Sequence, residues 1–327
     1  VCHTWRCRKR PSDNQLSRNR LSDKRQNQPG SKPLQSHIPV LFVQRNKSTL
    51  AGYFVSLLVL EPPCEYSIMY GLTVDFTSSS NGDLVMSKVA LVTGGTGGIG
   101  TAICKRLAAN GFKIITTYFE PEEKAKAWAE AQDYDVDLYP CNVSDYNSCV
   151  ELKEQILRDH GQVDVIVNNA GITRDSKFTR MTPDQWQEVI STNLTSLFNV
   201  CHQFVEGMTE RGFGRIINIS SVNGQKGQAG QTNYSAAKAG VHGFTMALAQ
   251  EVVRKGVTVN TISPGYIGTE MVMAIREDIR NAIVEQIPVK RLGKPEEIAA
   301  VAAFLASDDA AFITGSNISA NGGQFMH

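Results

Sequence analysis

The sequence has no long uninterrupted apolar segment and little net charge. Its longest clean apolar run, at 50–60, is too short for a membrane-spanning helix, which needs about 20 residues. The formal net charge of +1 over 327 residues gives no general reason to bind nucleic acid or an anionic membrane. We therefore expect neither a membrane nor a nucleic acid as a partner.

Paired cysteines and paired metal ligands are missing as well. The seven cysteines are scattered and include no CxxC pair, which argues against a disulfide framework and against a structural zinc site. No two histidines stand at ligand spacing, so we predict no bound metal. Scattered free thiols are typical of a reducing compartment, and we expect a cytoplasmic protein.

The positive charge is concentrated at the start of the chain. Residues 1–47 contain 11 Lys and Arg against 2 Asp and Glu, a local balance of +9, so the rest of the chain carries −8. The polar stretch at 1–35 has no helical or strand period, which predicts disorder. We expect residues 1–85 to be an extension outside the fold. It is either an upstream extension before a natural start at Met86 or a targeting peptide. The Arg and Ser content of the segment favours a targeting peptide, and the lack of a cleavage site argues against one.

A glycine-rich turn opens the remaining chain. A short apolar run at 88–92 is followed by TGGTGGIG at 93–100 and then by apolar residues at helical spacing. In a strand, turn and helix unit, Gly94, Gly98 and Gly100 allow a tight turn, close approach of the backbone to a pyrophosphate and close helix packing. A lone glycine motif is also compatible with a flexible turn, but the strand before it and the helix after it favour a dinucleotide site.

Alternating strands and helices predict the fold class. Strands are predicted at 88–92, 113–118, 163–171, 215–221, 257–265 and 317–323. Helices are predicted at 146–160, 183–211, 234–255 and 295–306. This alternation indicates an α/β fold: a doubly wound parallel sheet covered on both faces, a Rossmann-type three-layer sandwich, as a single domain over 86–327.

The stretch NYSAAKAG sets Tyr234 and Lys238 four residues apart, so on a helix they share a face. A phenol is a poor acid at neutral pH because its reference pKa is about 10. A lysine cation about 4 Å away, at an effective dielectric of about 20, interacts by about 4 kcal/mol and would lower that pKa. Tyr234 would then act as a general acid or base, with a hydroxyl such as Ser221 holding the substrate oxygen. The alternative is a solvated surface pair.

The motifs occur together and in a recognisable order. They are TGGTGGIG, NNAG at 168–171, a serine 13 residues before the tyrosine, YxxxK at 234–238 and PGYIGT at 264–269. With these motifs, residues 86–327 resemble the short-chain dehydrogenase/reductase superfamily. The resemblance implies an oxidoreductase that uses a nicotinamide cofactor.

The resemblance also implies a role for individual residues. Tyr234 would be the general acid in reduction, Ser221 would hold the carbonyl, and Lys238 would lower the tyrosine pKa and bind the cofactor ribose. Asn193 would organise a proton-relay water. Besides Tyr234 and Lys238, the expected cofactor site comprises Gly94, Gly98, Ile99, Gly100, Lys124, Asn142, Val143, Asn169, Ala170, Gly171, Pro264, Gly265, Ile267 and Thr269.

Longer stretches resemble the acetoacetyl-CoA reductases of that superfamily, among them NNAGITRD, NLTSLFNV and NISSVNGQKGQAGQTNYSAAKAG. This resemblance implies reduction of acetoacetyl-CoA to (R)-3-hydroxybutyryl-CoA, a polyhydroxybutyrate precursor, by a homotetramer. The substrate pocket would comprise Asp175, Ser221, Gln228, Gln231 and Tyr266. Two residues depart from the pattern: Ala229 replaces an aromatic wall of the pocket, and Asn142 replaces an aspartate that many members place against the adenine.

The choice between NADPH and NADH depends on the end of the domain's second strand. NAD enzymes usually place an acid there to bind the ribose hydroxyls. Thr117 and Tyr118 are neutral, so a 2′-phosphate is not repelled, and Lys124 is near enough to bind it. We therefore favour NADPH. Glu120 argues against this choice unless it is a solvated loop acid, and NADH stays an alternative.

Two other functions stay open at this point. One is a 3-oxoacyl-(acyl-carrier-protein) reductase of fatty-acid synthesis. The basic cluster of Arg174, Lys177 and Arg180 suits an acidic carrier protein and the phosphates of CoA equally well, so charge does not separate the two. The other is a nucleotide-binding protein without chemistry, which the fold alone allows. The complete predicted catalytic group argues against it.

Overall fold

The computed structural model describes residues 40–45, 53–58 and 87–326. The chain divides into two compact units, Val1–Val85 and Met86–His327. In the first unit, β1 (Val40–Arg45) and β2 (Tyr53–Leu58) pair antiparallel. The other residues of the predicted extension lie outside the described residues, so their disorder and any targeting role stay predictions.

A seven-stranded sheet forms the centre of the second unit. Its strands are β3 (Val89–Thr93), β4 (Lys113–Tyr118), β5 (Val136–Pro140), β6 (Val165–Asn168), β7 (Gly214–Ile219), β8 (Val257–Pro264) and β9 (Asn317–Ala320). They lie in the order β5-β4-β3-β6-β7-β8-β9, and every neighbouring pair is parallel. The chain reverses its direction of winding between β3 and β6, which is where ligands bind in such sheets. The predicted doubly wound sheet is confirmed.

Helices cover both faces of the sheet. They are α1 (Gly98–Ala109), α2 (Glu122–Glu130), α3 (Tyr146–His160), α4 (Pro183–Ile190), α5 (Ser196–Arg211), α6 (Val222–Lys226), α7 (Thr232–Val252), α8 (Glu270–Met273), α9 (Glu277–Gln286) and α10 (Pro295–Ala306). Apolar residues of α3, α5 and α7 form the core on one face. Those of α1 and α10 form it on the other. Because both faces are covered, central strands such as β3 are buried along their whole length rather than alternating between buried and exposed residues.

Local sequence signals set several helix ends. The Asp145 carboxylate accepts the backbone N–H of Ser148 at 2.8 Å and begins α3, and Gly161 ends it at a φ of 76°. Thr182 and Gln185 form a capping box at the start of α4. These ends agree with the bounds predicted for the corresponding helices.

The long helix predicted at 183–211 is interrupted. A π-helical turn, Ser191–Thr195, separates α4 from α5 and contains Asn193. The Asn193 amide donates hydrogen bonds to the carbonyl oxygens of Val189 and Ile172, both at 2.9 Å. The bond to Ile172 reaches the loop after β6, so the interruption depends on a tertiary contact that apolar spacing does not encode.

Candidate active site

A cleft of 1140 Å³ opens at the carboxyl ends of the strands. Most predicted site residues line it: Gly94, Gly98, Ile99, Asn142, Val143, Asn169, Ala170, Gly171, Asn193, Ser221, Gln231, Tyr234, Lys238, Pro264, Gly265, Tyr266, Ile267 and Thr269. Residues from α6 and α7 form one wall. Glu270, Met271 and Val272, at the start of α8, also line it, directly after Thr269.

Four predicted residues lie outside this lining. Gly100 is buried beneath the glycine turn, where a Cβ would collide with the Gly94 carbonyl oxygen. Lys124 lies in the first turn of α2. Asp175 is exposed but accepts a hydrogen bond from Gln231 at 2.8 Å. Gln228 lies on an exposed turn, so the structure does not bring its side chain to the site.

The glycine turn is fixed by side chains of its neighbouring strand. The Thr116 hydroxyl accepts the N–H of Gly95 at 2.8 Å and donates to the Val92 carbonyl oxygen at 2.7 Å. The Thr117 hydroxyl accepts the N–H of Gly94 at 3.2 Å. On the other side of the turn, the Asn169 amide donates to the Gly94 carbonyl oxygen at 2.9 Å. The turn is therefore held in place before any ligand arrives.

The start of α1 fits the phosphates of a dinucleotide. The helix begins after Gly97 without a capping side chain, and its first residues line the cleft. The unpaired N–H groups and the positive helix end favour an anion there. A Cβ at Gly98 would lie 2.9 Å from Thr269 Cγ2, so only glycine leaves this space open. The residues present fit a nicotinamide dinucleotide.

Three elements bring the predicted catalytic residues together. Ser221 precedes α6, and its hydroxyl accepts the N–H of Asn223 at 3.1 Å. Tyr234 lies in the first turn of α7 and forms a hydrogen bond with Ser221. One turn later, Lys238 Nζ donates to the Ile219 carbonyl oxygen at 2.8 Å and lies 5.7 Å from the centre of the Tyr234 ring.

The ionisation of the pair differs from the expectation. Burial raises the pKa of Tyr234, the hydrogen bond with Ser221 lowers it, and the charge of Asp175 raises it, so the net direction is upward. Burial also lowers the pKa of Lys238 to about 8. The expected depression by Lys238 is not found, because the ammonium is directed at a backbone carbonyl and is itself poorly solvated. Tyr234 is therefore protonated at neutral pH, as a general acid requires.

Asn193 and Lys238 border one small space of the cleft. A Cβ added to Gly171 would lie 2.5 Å from Asn193 Oδ1 and 3.5 Å from Lys238 Nζ. Gly171 therefore lies close to both side chains and leaves no room for a Cβ. The role in a proton relay that the resemblance implies for Asn193 stays a prediction.

Sequence reasoning missed Asn223, a buried residue of the cleft wall. Its amide donates to Gln231 Oε1 at 2.9 Å, and Gln231 in turn donates to Asp175. Burial and the charge of Asp175 raise the pKa of Tyr266, and a hydrogen bond with Asn223 lowers it. Asn223 thus connects three predicted substrate residues. Its only sequence signal is its position two residues after Ser221.

The described part of the chain offers no obvious metal site or membrane span. It contains no group of three or more His, Cys, Asp or Glu side chains arranged to hold a metal ion. None of its helices combines the length and the apolar character needed to cross a bilayer.

Known proteins are similar to this chain over its second unit. The family model that matches residues 94–324 is described as Enoyl-(Acyl carrier protein) reductase. An acetoacetyl-CoA reductase of Rhizobium meliloti is 60% identical over 242 residues, which cover 74% of this chain and 100% of that protein. The acetoacetyl-CoA reductase of Cupriavidus necator is 57% identical, with coverages of 73% and 98%. A 3-oxoacyl-(acyl-carrier-protein) reductase of Vibrio cholerae is 46% identical, also with coverages of 73% and 98%.

Proposed function

Because this chain belongs to the short-chain dehydrogenase/reductase superfamily, we propose that it reduces acetoacetyl-CoA to (R)-3-hydroxybutyryl-CoA with NADPH, which supplies a precursor for polyhydroxybutyrate. The observation that carries this proposal is the meeting of Ser221, Tyr234 and Lys238 in one cleft with the uncapped start of α1. The substrate is supported by the similarity to acetoacetyl-CoA reductases, which exceeds that to the carrier-protein reductase.

The two hydroxyl groups would bind the 3-oxo oxygen of the substrate. Since Ser221 Oγ already accepts the N–H of Asn223, its own proton is available for donation to that oxygen. Tyr234, whose raised pKa keeps it protonated, donates its proton to the oxygen as negative charge develops there. When bound, the nicotinamide supplies the hydride for this reduction.

Lys238 would restore the proton of Tyr234. Its pKa of about 8 makes it a better proton donor than an exposed lysine, and Nζ lies close to the tyrosine ring. A water beside Lys238 would then return a proton to it, and Asn193 would position that water. In this scheme, Asn193 positions the relay and does not touch the substrate.

The decisive experiment measures initial rates with the purified full chain. NADPH oxidation is followed by absorbance with acetoacetyl-CoA, and the product is analysed for its configuration at C3. We expect turnover and the R alcohol. A higher kcat/KM with the acetoacetyl thioester of an acyl-carrier protein would assign the chain to fatty-acid synthesis instead.

The preference for NADPH is supported by the neutral residues at the end of β4. Thr117 and Tyr118 offer no carboxylate to a ribose hydroxyl. Glu120 lines the same part of the cleft. Burial opposes its ionisation, but hydrogen bonds from Thr96 and the backbone, together with Lys124, lower its pKa. The negative charge of Glu120 repels a 2′-phosphate, and the positive charge of Lys124 partly compensates this repulsion.

The carrier-protein reductase is the second candidate. Of the basic cluster after NNAG, Arg174 is already paired with Glu188 at 2.7 Å, which leaves less positive charge for an acidic carrier protein. The same pairing also leaves less positive charge for the phosphates of CoA, so it does not separate the two substrates.

We also propose a cytoplasmic homotetramer. Exposed apolar side chains on α5 and α7, Phe198 and Met246, offer surfaces for contact between subunits. The free buried cysteines of the second unit suit a reducing compartment. Light scattering on the purified chain measures the subunit number, and a monomer would contradict the proposal.

A further inference from the structure

The Ser220 hydroxyl has no part in the chemistry proposed above. Ser220 directly follows β7 and precedes Ser221, and only 3% of its surface is exposed. Its Oγ donates a hydrogen bond to the backbone carbonyl oxygen of Lys238 at 2.7 Å. A buried hydroxyl thus joins the end of a central strand to the helix that contains the proposed acid.

Residues beside Ser220 hold the same lysine. The Ile219 carbonyl oxygen accepts a hydrogen bond from Lys238 Nζ at 2.8 Å. A Cβ added to Gly224 would lie 2.7 Å from the Lys238 carbonyl carbon and 2.8 Å from its oxygen, so α6 packs directly against this turn of α7. The side chain and the backbone of Lys238 are therefore both located by one short stretch of chain, 219–224.

The bond from Ser220 is not needed to satisfy the carbonyl group that accepts it. Lys238 lies inside α7, and a carbonyl group inside an α-helix accepts the N–H of the residue four positions later. What the Ser220 bond adds is a fixed contact between the end of β7 and one turn of α7. Its effect is therefore on the position of that turn.

Two groups that must reach one substrate atom lie on either side of this contact. Ser221 is the next residue in the chain, and Tyr234 lies one turn before Lys238 on α7. Resting on the function proposed above, we infer that Ser220 is a positioning residue: its hydroxyl sets the placement of Tyr234 and Lys238 relative to Ser221. A displacement of about 1 Å between reacting groups can cost about a hundredfold in rate.

Three variants at this position test the role of the hydroxyl. Ser220→Ala removes it, Ser220→Cys replaces it by a weaker donor of similar shape, and Ser220→Thr keeps it. Initial rates of acetoacetyl-CoA reduction by the full chain are divided by the concentration of NADPH-binding sites from fluorescence titration, so that unfolded protein does not contribute. We expect kcat per site to fall about tenfold in the Ala and Cys variants and to stay within about threefold in the Thr variant. The KM for acetoacetyl-CoA should change less than about threefold in all of them.

A second readout needs no turnover. Lys238 is 4% exposed, so reductive methylation of its Nζ in the free chain should be slow, and Lys113, with a side chain 51% exposed, serves as the reference. Mass spectrometry measures both rates. In Ser220→Ala, methylation of Lys238 relative to Lys113 should accelerate about fivefold, the factor expected for one lost hydrogen bond. A general loosening of the fold would accelerate both lysines together.

Ser307→Ala is the matched control. The Ser307 hydroxyl also donates to a backbone carbonyl oxygen at 2.7 Å, that of Phe304 at the end of α10, and Ser307 does not line the cleft. This variant should keep the kcat per site and the methylation ratio of wild type.

The outcomes separate this inference from the proposed function. Wild-type kcat per site in the Ala and Cys variants, an equal loss in the Thr variant, or an unchanged methylation ratio would overturn the inference while leaving the reductase activity intact. A wild-type chain that does not reduce acetoacetyl-CoA with NADPH or NADH would overturn the proposed function itself, and the methylation ratio would still test the contact.

Discussion

At the scale of single residues, the proposed chemistry depends on Tyr234 and Lys238, two buried groups whose pKa values are shifted in opposite directions. Burial favours the neutral form of both side chains. It raises the pKa of Tyr234, which keeps its proton, and it lowers the pKa of Lys238, which gives up its proton more readily. The pairing of a tyrosine and a lysine on one helix face could be predicted from their spacing. The direction of the pKa of Tyr234 could not, because it depends on how deeply the cleft buries the phenol.

Tyr234→Phe should lower kcat by at least about a thousandfold, since the variant lacks the proton donor but keeps the ring. The affinity for NADPH, measured by fluorescence titration, should change less than about threefold, because cofactor binding does not depend on the hydroxyl proton of Tyr234. Parallel loss of cofactor affinity and activity would instead assign Tyr234 to binding.

Lys238 should make stability depend on pH. Its folded-state pKa of about 8 lies below the ordinary lysine value of 10.5, so between these values the unfolded state binds more protons than the folded state. The contribution of Lys238 to the free energy of unfolding therefore rises with pH across this window. Urea denaturation of wild type and Lys238→Met at several pH values measures it. We expect the variant to lack this rise. If the free energy of unfolding of both proteins changed with pH in the same way, the burial assigned to Lys238 would be wrong.

Glu120→Gln should increase the preference for NADPH. Removing a carboxylate from the ribose end of the cleft removes its repulsion of a 2′-phosphate, and we expect kcat/KM with NADPH to rise about tenfold relative to NADH. Glu123→Gln, an exposed neighbour on α2, is the control. If both variants respond equally, general charge accounts for the effect and Glu120 has no specific role.

At the scale of elements, helices with clear end signals were predictable and tertiary interruptions were not. The bounds of α3 and α10 match their predictions because Asp145, Gly161 and Pro295 mark their ends. The strand β5 was missed since it is a half-buried edge strand with a weak apolar signal. The π-helical turn was missed because its Asn193 bonds to a distant loop.

Thr116→Val tests how β4 supports the glycine turn. The variant keeps the shape of the side chain but leaves the Gly95 N–H without its partner, so unfolding should become about 1–3 kcal/mol easier. The KM for NADPH should rise at the same time. Thr179→Val, at an exposed position, should stay within about 0.5 kcal/mol of wild type. Chemical denaturation measures both; equal stabilities would show that the turn is held by other contacts.

At the scale of the whole molecule, the proposed catalytic residues all belong to the unit that begins at Met86. The chain from Met86 contains the complete sheet, both core clusters and the cleft. The apolar pattern that begins abruptly at residue 88 predicts a domain over 86–327. What the first 85 residues do could not be predicted, because their composition fits more than one role.

A chain that starts at Met86 should therefore keep kcat/KM within about twofold of the full chain, and its melting temperature should change by less than about 3 °C. Steady-state kinetics and calorimetry test this directly. A large loss of activity or stability in the shortened chain would show that the first unit supports the catalytic one.

The lining of the cleft comes from segments far apart in the sequence, and this separation has a consequence for adaptation. The proton chemistry uses residues before α7 ends, whereas the segment at the start of α8 contributes side chains such as the 69% exposed Met271. Exchange of that segment between relatives can thus change which acyl chains are accepted while the acid, the relay and the cofactor turn stay untouched. We therefore expect changes in this segment to alter substrate range more than reactivity.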